Sequence, residues 1–201
     1  MKVDRNMLVS ESGNPIQFEK SPNYSAIVTP LYLVMHYTAG PDLDGAVSWF
    51  ARRESNASAH IVIGRDGRIV QMVAFDKRAW HSGKSQWGEL EGLNEYSIGI
   101  ELANNGKLTK RDDGNWISWA KLVVPADEVT IATHKHENSA TGWHEYPAQQ
   151  ISVALEVAIC LNSTYRFRDV LGHEDVSPGR KCDPGPLFPM SNFRSRVLGR
   201  E

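Results

Sequence analysis

The sequence lacks the marks of a small secreted protein and of a membrane protein. It contains only two cysteines, Cys160 and Cys182, too few for a disulfide framework, although a single bridge between them stays open. No apolar run approaches the ~18 residues of a membrane span, and the polar N-terminus has no apolar core typical of a signal peptide. We therefore expect a cytoplasmic protein in a reducing compartment, with no membrane partner.

An excess of charge of either sign is also missing. The formal net charge is -2, which gives no overall attraction to nucleic acid. The chain is 41% apolar and 23% charged, as expected for an ordinary globular protein, and its 201 residues fit one hydrophobic core. The sequence shows no internal repeat and no linker. We expect one domain over residues 1–201, most simply a monomer, with residues 1–30 as an N-terminal extension.

Short β-favouring segments alternate with helical ones. An Asp-Gly pair at 66–67 lies between two β-rich segments and predicts a hairpin. Helical spacing of apolar residues predicts one helix over 42–54 and a largely buried one from Pro147 to about residue 161, followed by a short terminal helix. The predicted strands are residues 31–35, 60–63, 68–73, 97–102 and 169–172.

Residues 104–128 differ in composition from the rest of the chain. They are rich in Asn, Gly, Lys and Asp, with Trp116 and Trp119 embedded among them. This pattern is typical of a long loop, and we expect an insertion that leaves the core at this point. The sequence assigns it no role.

Two histidines stand where metal ligands are often found. His36 and His173 each follow a short apolar strand and begin a loop, although a histidine at a strand end can also simply cap or pack there. Zinc hydrolases use three protein ligands from His, Asp, Glu or Cys. The loop after His173 offers both Cys182 and Asp183, and the residues alone leave the third ligand open. Glu101 faces away from its apolar neighbours on the strand over 97–102, which an ordinary ion pair would also explain.

Five blocks of sequence carry a resemblance to a known family, and they follow one another in the family's order between about residues 31 and 188. The chain resembles the N-acetylmuramoyl-L-alanine amidases of the amidase type 2 family, which includes T7-type phage lysozymes and peptidoglycan recognition proteins. The blocks are Val34-Met35-His36-Tyr37-Thr38-Ala39, Ser58-Ala59-His60, Arg78-Ala79-Trp80-His81-Ser82-Gly83, Ser97-Ile98-Gly99-Ile100-Glu101, and Gly172-His173-Glu174-Asp175 through Pro178 to Pro186.

The resemblance implies an α/β fold, a single domain with a central mixed β-sheet flanked by helices. It also implies one Zn²⁺ ion bound by His36, His173 and an Asp or Cys. In the relatives this third ligand lies two residues after a lysine and directly before a proline, which is the position of Asp183. Cys182 is the rival, because thiolate is a good zinc donor and some relatives use Cys.

The resemblance further implies roles for other residues. Glu101 is the expected general base and Lys181 the expected stabiliser of the oxyanion. His60 is expected to support the site or the substrate from a neighbouring strand, and it joins a set of substrate-binding candidates. The remaining candidates of that set are Arg78, Trp80 and His81.

Three other histidines could suggest a second metal site, but their spacing does not support ligation. We expect surface or groove positions for them. They are His134, His136 and His144.

The implied activity is hydrolysis of the amide between N-acetylmuramic acid, with the 1,6-anhydro form as a candidate, and L-Ala of the peptidoglycan stem peptide. Peptidoglycan or its muropeptide fragments are the expected partners, in cell-wall turnover and recycling. Two alternatives stay open: a phage endolysin released at lysis, and a peptidoglycan-binding module without catalysis. An unrelated zinc peptidase, which would cleave between two amino acids, is a third.

Overall fold

The computed structural model describes residues 1–200, and of Ile27 the backbone alone. Within these residues it contains sixteen strands and four α-helices. The helices are α1 (Leu43–Phe50), α2 (Ala148–Tyr165), α3 (His173–Val176) and α4 (Met190–Leu198). The strands are β1 (Lys2–Asp4), β2 (Met7–Val9), β3 (Tyr24–Ile27), β4 (Tyr32–Tyr37), β5 (Ile61–Ile63), β6 (Ile69–Gln71), β7 (Lys77–Ala79), β8 (Gln86–Trp87), β9 (Leu90–Glu91), β10 (Ser97–Leu102), β11 (Lys107–Lys110), β12 (Trp116–Ile117), β13 (Val123–Val124), β14 (Val129–Thr133), β15 (Ala140–His144) and β16 (Asp169–Gly172).

The centre of the molecule is a five-stranded mixed sheet in the order β16-β4-β10-β5-β6. The first four strands run parallel, and β6 pairs antiparallel with β5 through the predicted hairpin. One face packs on α2 and α4 and the other on α1, so that helices cover both faces as a parallel sheet requires. The predicted α/β fold with a mixed sheet and flanking helices is confirmed.

The two faces follow from the period of two along each strand. In β10, Ile98 and Ile100 belong to the core beneath α2, and Glu101 points to the opposite side of the sheet. In β4 the same alternation puts Leu33 in that core and His36 on the face of Glu101. The strand period thus collects the polar side chains on one face, near the carboxyl ends of the parallel strands.

Helices α1 and α2 begin where the sequence predicts. The Asp42 side chain accepts hydrogen bonds from the backbone N–H of Asp44 and Gly45, which satisfies free donors at the start of α1. Pro147 directly precedes α2, where its fixed φ suits a helix start. Within residues 1–200, no helix combines the length and the apolar character needed to cross a lipid bilayer.

Residues 104–128, expected as a long loop insertion, carry three short strands. β11, β12 and β13 join β14 and β15 in a second five-stranded sheet, antiparallel throughout. The expected N-terminal extension begins with the β1–β2 hairpin, and its Leu8 is buried in the main core. Neither cysteine is bridged.

Candidate metal centre and groove

His36, His173 and Asp183 meet at the carboxyl edge of the central sheet. His36 Nδ1 lies 2.9 Å from His173 Nδ1 and 3.1 Å from Asp183 Oδ2, and His173 Nδ1 lies 2.9 Å from the same carboxylate oxygen. All three residues are buried. They form the one group among residues 1–200 in which three or more His, Cys, Asp or Glu ligand atoms lie close enough to share an ion.

Strand pairing brings the two histidines together. β16 pairs with β4 so that Gly172 lies beside Met35, and the residue that follows each of these two in the chain is a histidine of the group. The loop that follows α3 then returns to the site, where the carbonyl of Asp183 accepts a hydrogen bond of 2.8 Å from the backbone N–H of Glu174. The carboxylate of Asp183 is thereby held against both rings.

The hydrogen bonds of the rings leave lone pairs facing the centre. His173 Nε2 lies 3.0 Å from the backbone carbonyl of Ser82, which can only accept, so this nitrogen is the donor; with a single ring proton on Nε2, the lone pair of His173 is on Nδ1. Burial, and then the neighbouring His173, lower the pKa of His36 to about 4, and the ring is neutral at pH 7. Burial raises the pKa of Asp183, but its contacts with His173 and His36 outweigh that effect and hold the pKa below its usual range.

The site therefore combines two imidazoles with one carboxylate, a donor set suited to zinc. The three ligand atoms are 2.9–3.1 Å apart, whereas tetrahedral zinc with nitrogen and oxygen ligands separates them by roughly 3.3 Å. A shift of a few tenths of an ångström thus adapts the group to the ion. The carbonyl of Ser82 behind His173 is the kind of outer contact that orients a histidine ligand.

Glu101 lies directly beside His36 in the pairing of β10 with β4. Its side chain is buried, and its Oε2 has no hydrogen-bond partner within residues 1–200. Burial, and then the charge of Asp183, raise its pKa to about 8, and Lys181 partly opposes this shift. A carboxyl group with such a pKa can hold or release a proton near neutral pH.

A groove of about 1030 Å³ opens over these residues. Glu101, His173, Lys181 and Asp183 line it together with Cys182. The Cys182 thiol lies 3.1 Å from the hydroxyl of Tyr37, outside the group of close ligand atoms. The arrangement thus places a carboxyl group, an ammonium group and a candidate metal site around one cavity.

The four predicted substrate-binding residues differ in their access to the groove. Trp80 and His81 line the groove, although His81 is buried with its Nδ1 2.9 Å from His36 Nε2. His60 is fully buried between the Lys77 carbonyl and the Gly99 N–H, with no access to the groove. Arg78 points elsewhere and bonds Ser25 and Glu95. His60 and Arg78 are thus not among the residues that line the groove, and a role of either in substrate binding stays a prediction.

The expectation of surface or groove positions is wrong for two of the other histidines. His134 is buried against Glu174, with 2.6 Å between Nε2 and Oε2, and His144 is buried against Glu128 at 2.9 Å. His136 is exposed. None of the three lines the groove or belongs to the close ligand group of residues 1–200. Through Glu174, His134 and His136 tie the loop that follows β14 to the rest of the molecule.

Several groove residues were not singled out from the sequence. Trp49 on α1 is half exposed. It lies outside the helix face formed by the buried Val47 and Phe50, and a large aromatic residue at such a position was a signal of a binding surface that the sequence contained. Trp119 is 83% exposed in a turn, and only the fold brings that turn to the groove. Arg180 joins the rim and donates to the carbonyls of Ser82 and Lys84, both at 2.7 Å.

The chain is similar to several known proteins. The sequence profile described as N-acetylmuramoyl-L-alanine amidase matches residues 28–186. The 1,6-anhydro-N-acetylmuramyl-L-alanine amidase AmpD of Escherichia coli K12 is 36% identical over 140 residues, which are 70% of this chain and 58% of that protein. The chain thus spans little more than half the length of that relative.

Two solved structures share the fold over most of the chain. The crystal structure of an AmpD derivative has a TM-score of 0.66 and 28% identity, and the match covers 98% of this chain and 99% of that one. The complex of E. coli AmiD with anhydro-N-acetylmuramic acid-L-Ala-D-gamma-Glu-L-Lys has a TM-score of 0.64 and 27% identity, covering 87% and 60%.

Proposed function

This chain belongs to the N-acetylmuramoyl-L-alanine amidase family, and from that premise we propose that it hydrolyses the amide between N-acetylmuramic acid and L-Ala of a peptidoglycan stem peptide. The observation that carries the proposal is the convergence of His36, His173 and Asp183 beside the buried Glu101, at the floor of a groove. Hydrolysis of an unactivated amide needs an electrophilic centre and a base at one place, and this arrangement supplies both.

For the substrate we propose a soluble muropeptide with the 1,6-anhydro sugar, and for the setting the recycling of cell-wall fragments in the cytoplasm. The names of AmpD and of the ligand bound to AmiD refer to this sugar, which supports the choice. The groove of about 1030 Å³ is large enough for a sugar with several amino acids.

His36, His173 and Asp183 would hold a single Zn²⁺ ion as its three protein ligands. The bound ion would supply Lewis acidity, both to the scissile carbonyl and to the attacking water. The chain contributes the orientation of the ligands and the exclusion of bulk water by burial of all three side chains. Asp183 is the charged member of the set, so the net charge of the loaded site is reduced to about one positive unit.

Glu101 is proposed as the general base. Its free Oε2 would take the proton of the attacking water, and the resulting carboxylic acid would then deliver that proton to the leaving amine of L-Ala. The pKa of about 8 in the metal-free protein shows how strongly burial favours the protonated form; a nearby divalent cation would lower it toward the working range.

Lys181 is proposed to stabilise the oxyanion. It lines the groove beside Asp183, and its charge acts on both His36 and Glu101. An ammonium group in the groove interacts most strongly with the carbonyl oxygen when that oxygen becomes negative in the transition state.

The proposal is tested with purified protein, measured zinc content and mass spectrometry of products from defined muropeptides. We expect release of the intact stem peptide from an anhydro-muropeptide, and faster turnover of that substrate than of intact sacculi. Activity on sacculi alone would replace the recycling role with that of an endolysin. A chain that binds muropeptide, but neither binds zinc nor hydrolyses after zinc is added, would be a binding module.

A further inference from the structure

His81, a groove candidate by sequence, lies beneath a metal-site histidine. The residue is 9% exposed, and His81 Nδ1 is 2.9 Å from His36 Nε2, the nitrogen that faces away from the candidate metal centre. The rings meet edge to face, with 5.0 Å between their centroids. Ser82 Oγ also lies 3.0 Å from His81 Nδ1. The side chain therefore has little surface left for a substrate.

A chain of contacts indicates which nitrogen carries each proton. Ser97 Oγ lies 2.5 Å from the carbonyl of Leu93, which can only accept, so the hydroxyl proton of Ser97 points there. Ser97 Oγ, at 3.4 Å from His81 Nε2, can then only accept from it. His81 Nδ1 is left as an acceptor, for His36 Nε2 at 2.9 Å and for the hydroxyl of Ser82 at 3.0 Å. The lone pair of His36 is consequently on Nδ1, facing His173 and Asp183.

The same short segment also supports the second histidine. The carbonyl of Ser82 accepts from His173 Nε2 at 3.0 Å, and the guanidinium of Arg180 donates to that carbonyl at 2.7 Å. The segment itself is anchored, because Asn94 Oδ1 accepts from the backbone N–H of His81 at 3.0 Å and of Ser82 at 2.7 Å. Residues 81 and 82 thus contact the outer nitrogen of both ring ligands.

Gly99 makes room for this arrangement. A Cβ at residue 99 would lie 2.5 Å from Cγ of His81, so the strand behind the ring has to carry a glycine for the ring to occupy its place. The backbone N–H of Gly99 is in turn bound by His60 Nδ1 at 3.0 Å. The ring of His81 is therefore held on one side by β10 and on the other by His36.

From these contacts we infer that His81 is a positioning residue, which orients His36 and fixes its Nδ1 as the nitrogen available to a metal ion, while the adjoining Ser82 carbonyl does the same for His173. The inference rests on the metal site of the proposed function. Outer hydrogen bonds of this kind typically change metal affinity by roughly 10- to 100-fold when they are removed.

The first experiment measures zinc affinity by competition with a chromophoric chelator, independently of any amidase assay. We expect roughly 10- to 100-fold weaker binding for His81→Ala. His81→Asn keeps an acceptor near the position of Nδ1, and its affinity should be largely restored. His144→Asn is the matched control, since it alters a buried, hydrogen-bonded histidine outside the ligand group and should leave zinc affinity unchanged.

The second experiment reads the tautomer of His36 directly, by nitrogen-15 NMR of the imidazoles in the metal-free wild-type protein. Because this measurement uses the wild-type protein without zinc, it does not depend on whether a variant folds or on whether the ion binds. We expect a proton on Nε2 of His36 and none on Nδ1; a proton on Nδ1 would overturn the inference. Equal zinc affinity of wild type and His81→Ala would also overturn it and leave the amidase proposal standing, whereas a wild type that binds no zinc would remove the metal site itself.

Discussion

Replacement of Glu101 by glutamine tests the electrostatics of the groove floor without any substrate. The pKa of Glu101 is raised from 4.5 to about 8, first by burial and then by Asp183. In the metal-free protein the folded state therefore keeps a proton that the unfolded chain releases above pH 4.5. The stability contributed by this proton is fully present below about pH 4.5 and is lost as the pH rises through about 8.

The magnitude follows from the same two values. Each pH unit in this interval removes about 1.4 kcal/mol per proton, so the rise from 4.5 to about 8 corresponds to an upper bound of roughly 5 kcal/mol. Glu101→Gln has no proton to lose. We expect the free energy of unfolding of the variant, relative to wild type, to increase by several kcal/mol between pH 5 and pH 8, on the order of 1 kcal/mol per pH unit.

The assay is urea unfolding of chelator-treated protein at several pH values between 5 and 9. Taking the difference between the two proteins at each pH cancels the titration of groups that they share. Glu54→Gln, on an exposed side chain, is the control and should follow the wild-type curve. A difference between Glu101→Gln and wild type that does not change with pH would refute the burial of an uncompensated carboxyl group at this position.

Three further predictions concern the groove. Asp183→Ala should abolish stoichiometric zinc binding while Cys182→Ser retains it, as measured by metal analysis after dialysis; the reverse pattern would make Cys182 the third ligand. Lys181→Ala should keep its zinc and lose roughly 10²- to 10³-fold in kcat, and a rise in KM alone would assign it to ground-state binding. Gly99→Ala should destabilise the fold by about 1–3 kcal/mol and weaken zinc binding, because the new methyl group displaces the ring of His81; unchanged melting and affinity would contradict that.

Much of the central sheet could be predicted because its strands are short, apolar and bounded by turn residues. The strand predicted over 97–102 is β10 with the same limits, and the helix predicted from Pro147 is α2, which continues to Tyr165. In each case hydrophobic burial and local propensity point to the same structure.

The second sheet could not be predicted as readily. β12 and β13 have two residues each and lie among Asn, Gly, Lys and Asp, where no period can be recognised. The sequence did contain one missed signal, the β-branched segment Val129–Thr133 that forms β14. These strands are held by pairing with one another and by the packing of Trp143, which depend on long-range contacts.

The candidate site, too, could be predicted from the sequence only in part. His36 and His173 could be proposed from strand ends, because parallel strands bring their carboxyl ends to one edge. The position of His81 could not, since a histidine that lines a groove and one that supports a ligand from below have the same sequence context. Only the distances from His81 to His36 and Ser97 distinguish the two roles.

The features that suit the site to catalysis also weaken the metal-free fold. Three acceptor atoms of His36, His173 and Asp183 lie within 3.1 Å of one another, and the buried Glu101 has an oxygen without a partner in residues 1–200. Each arrangement is unfavourable unless a positive charge lies among these groups. A ligand that binds only the folded state at 1,000 times its Kd adds about 4 kcal/mol of stability. Zinc binding and folding should therefore be strongly coupled here. The burial that raises the pKa of Glu101 destabilises its charged form in the metal-free fold, and the same burial makes that charged form a stronger base.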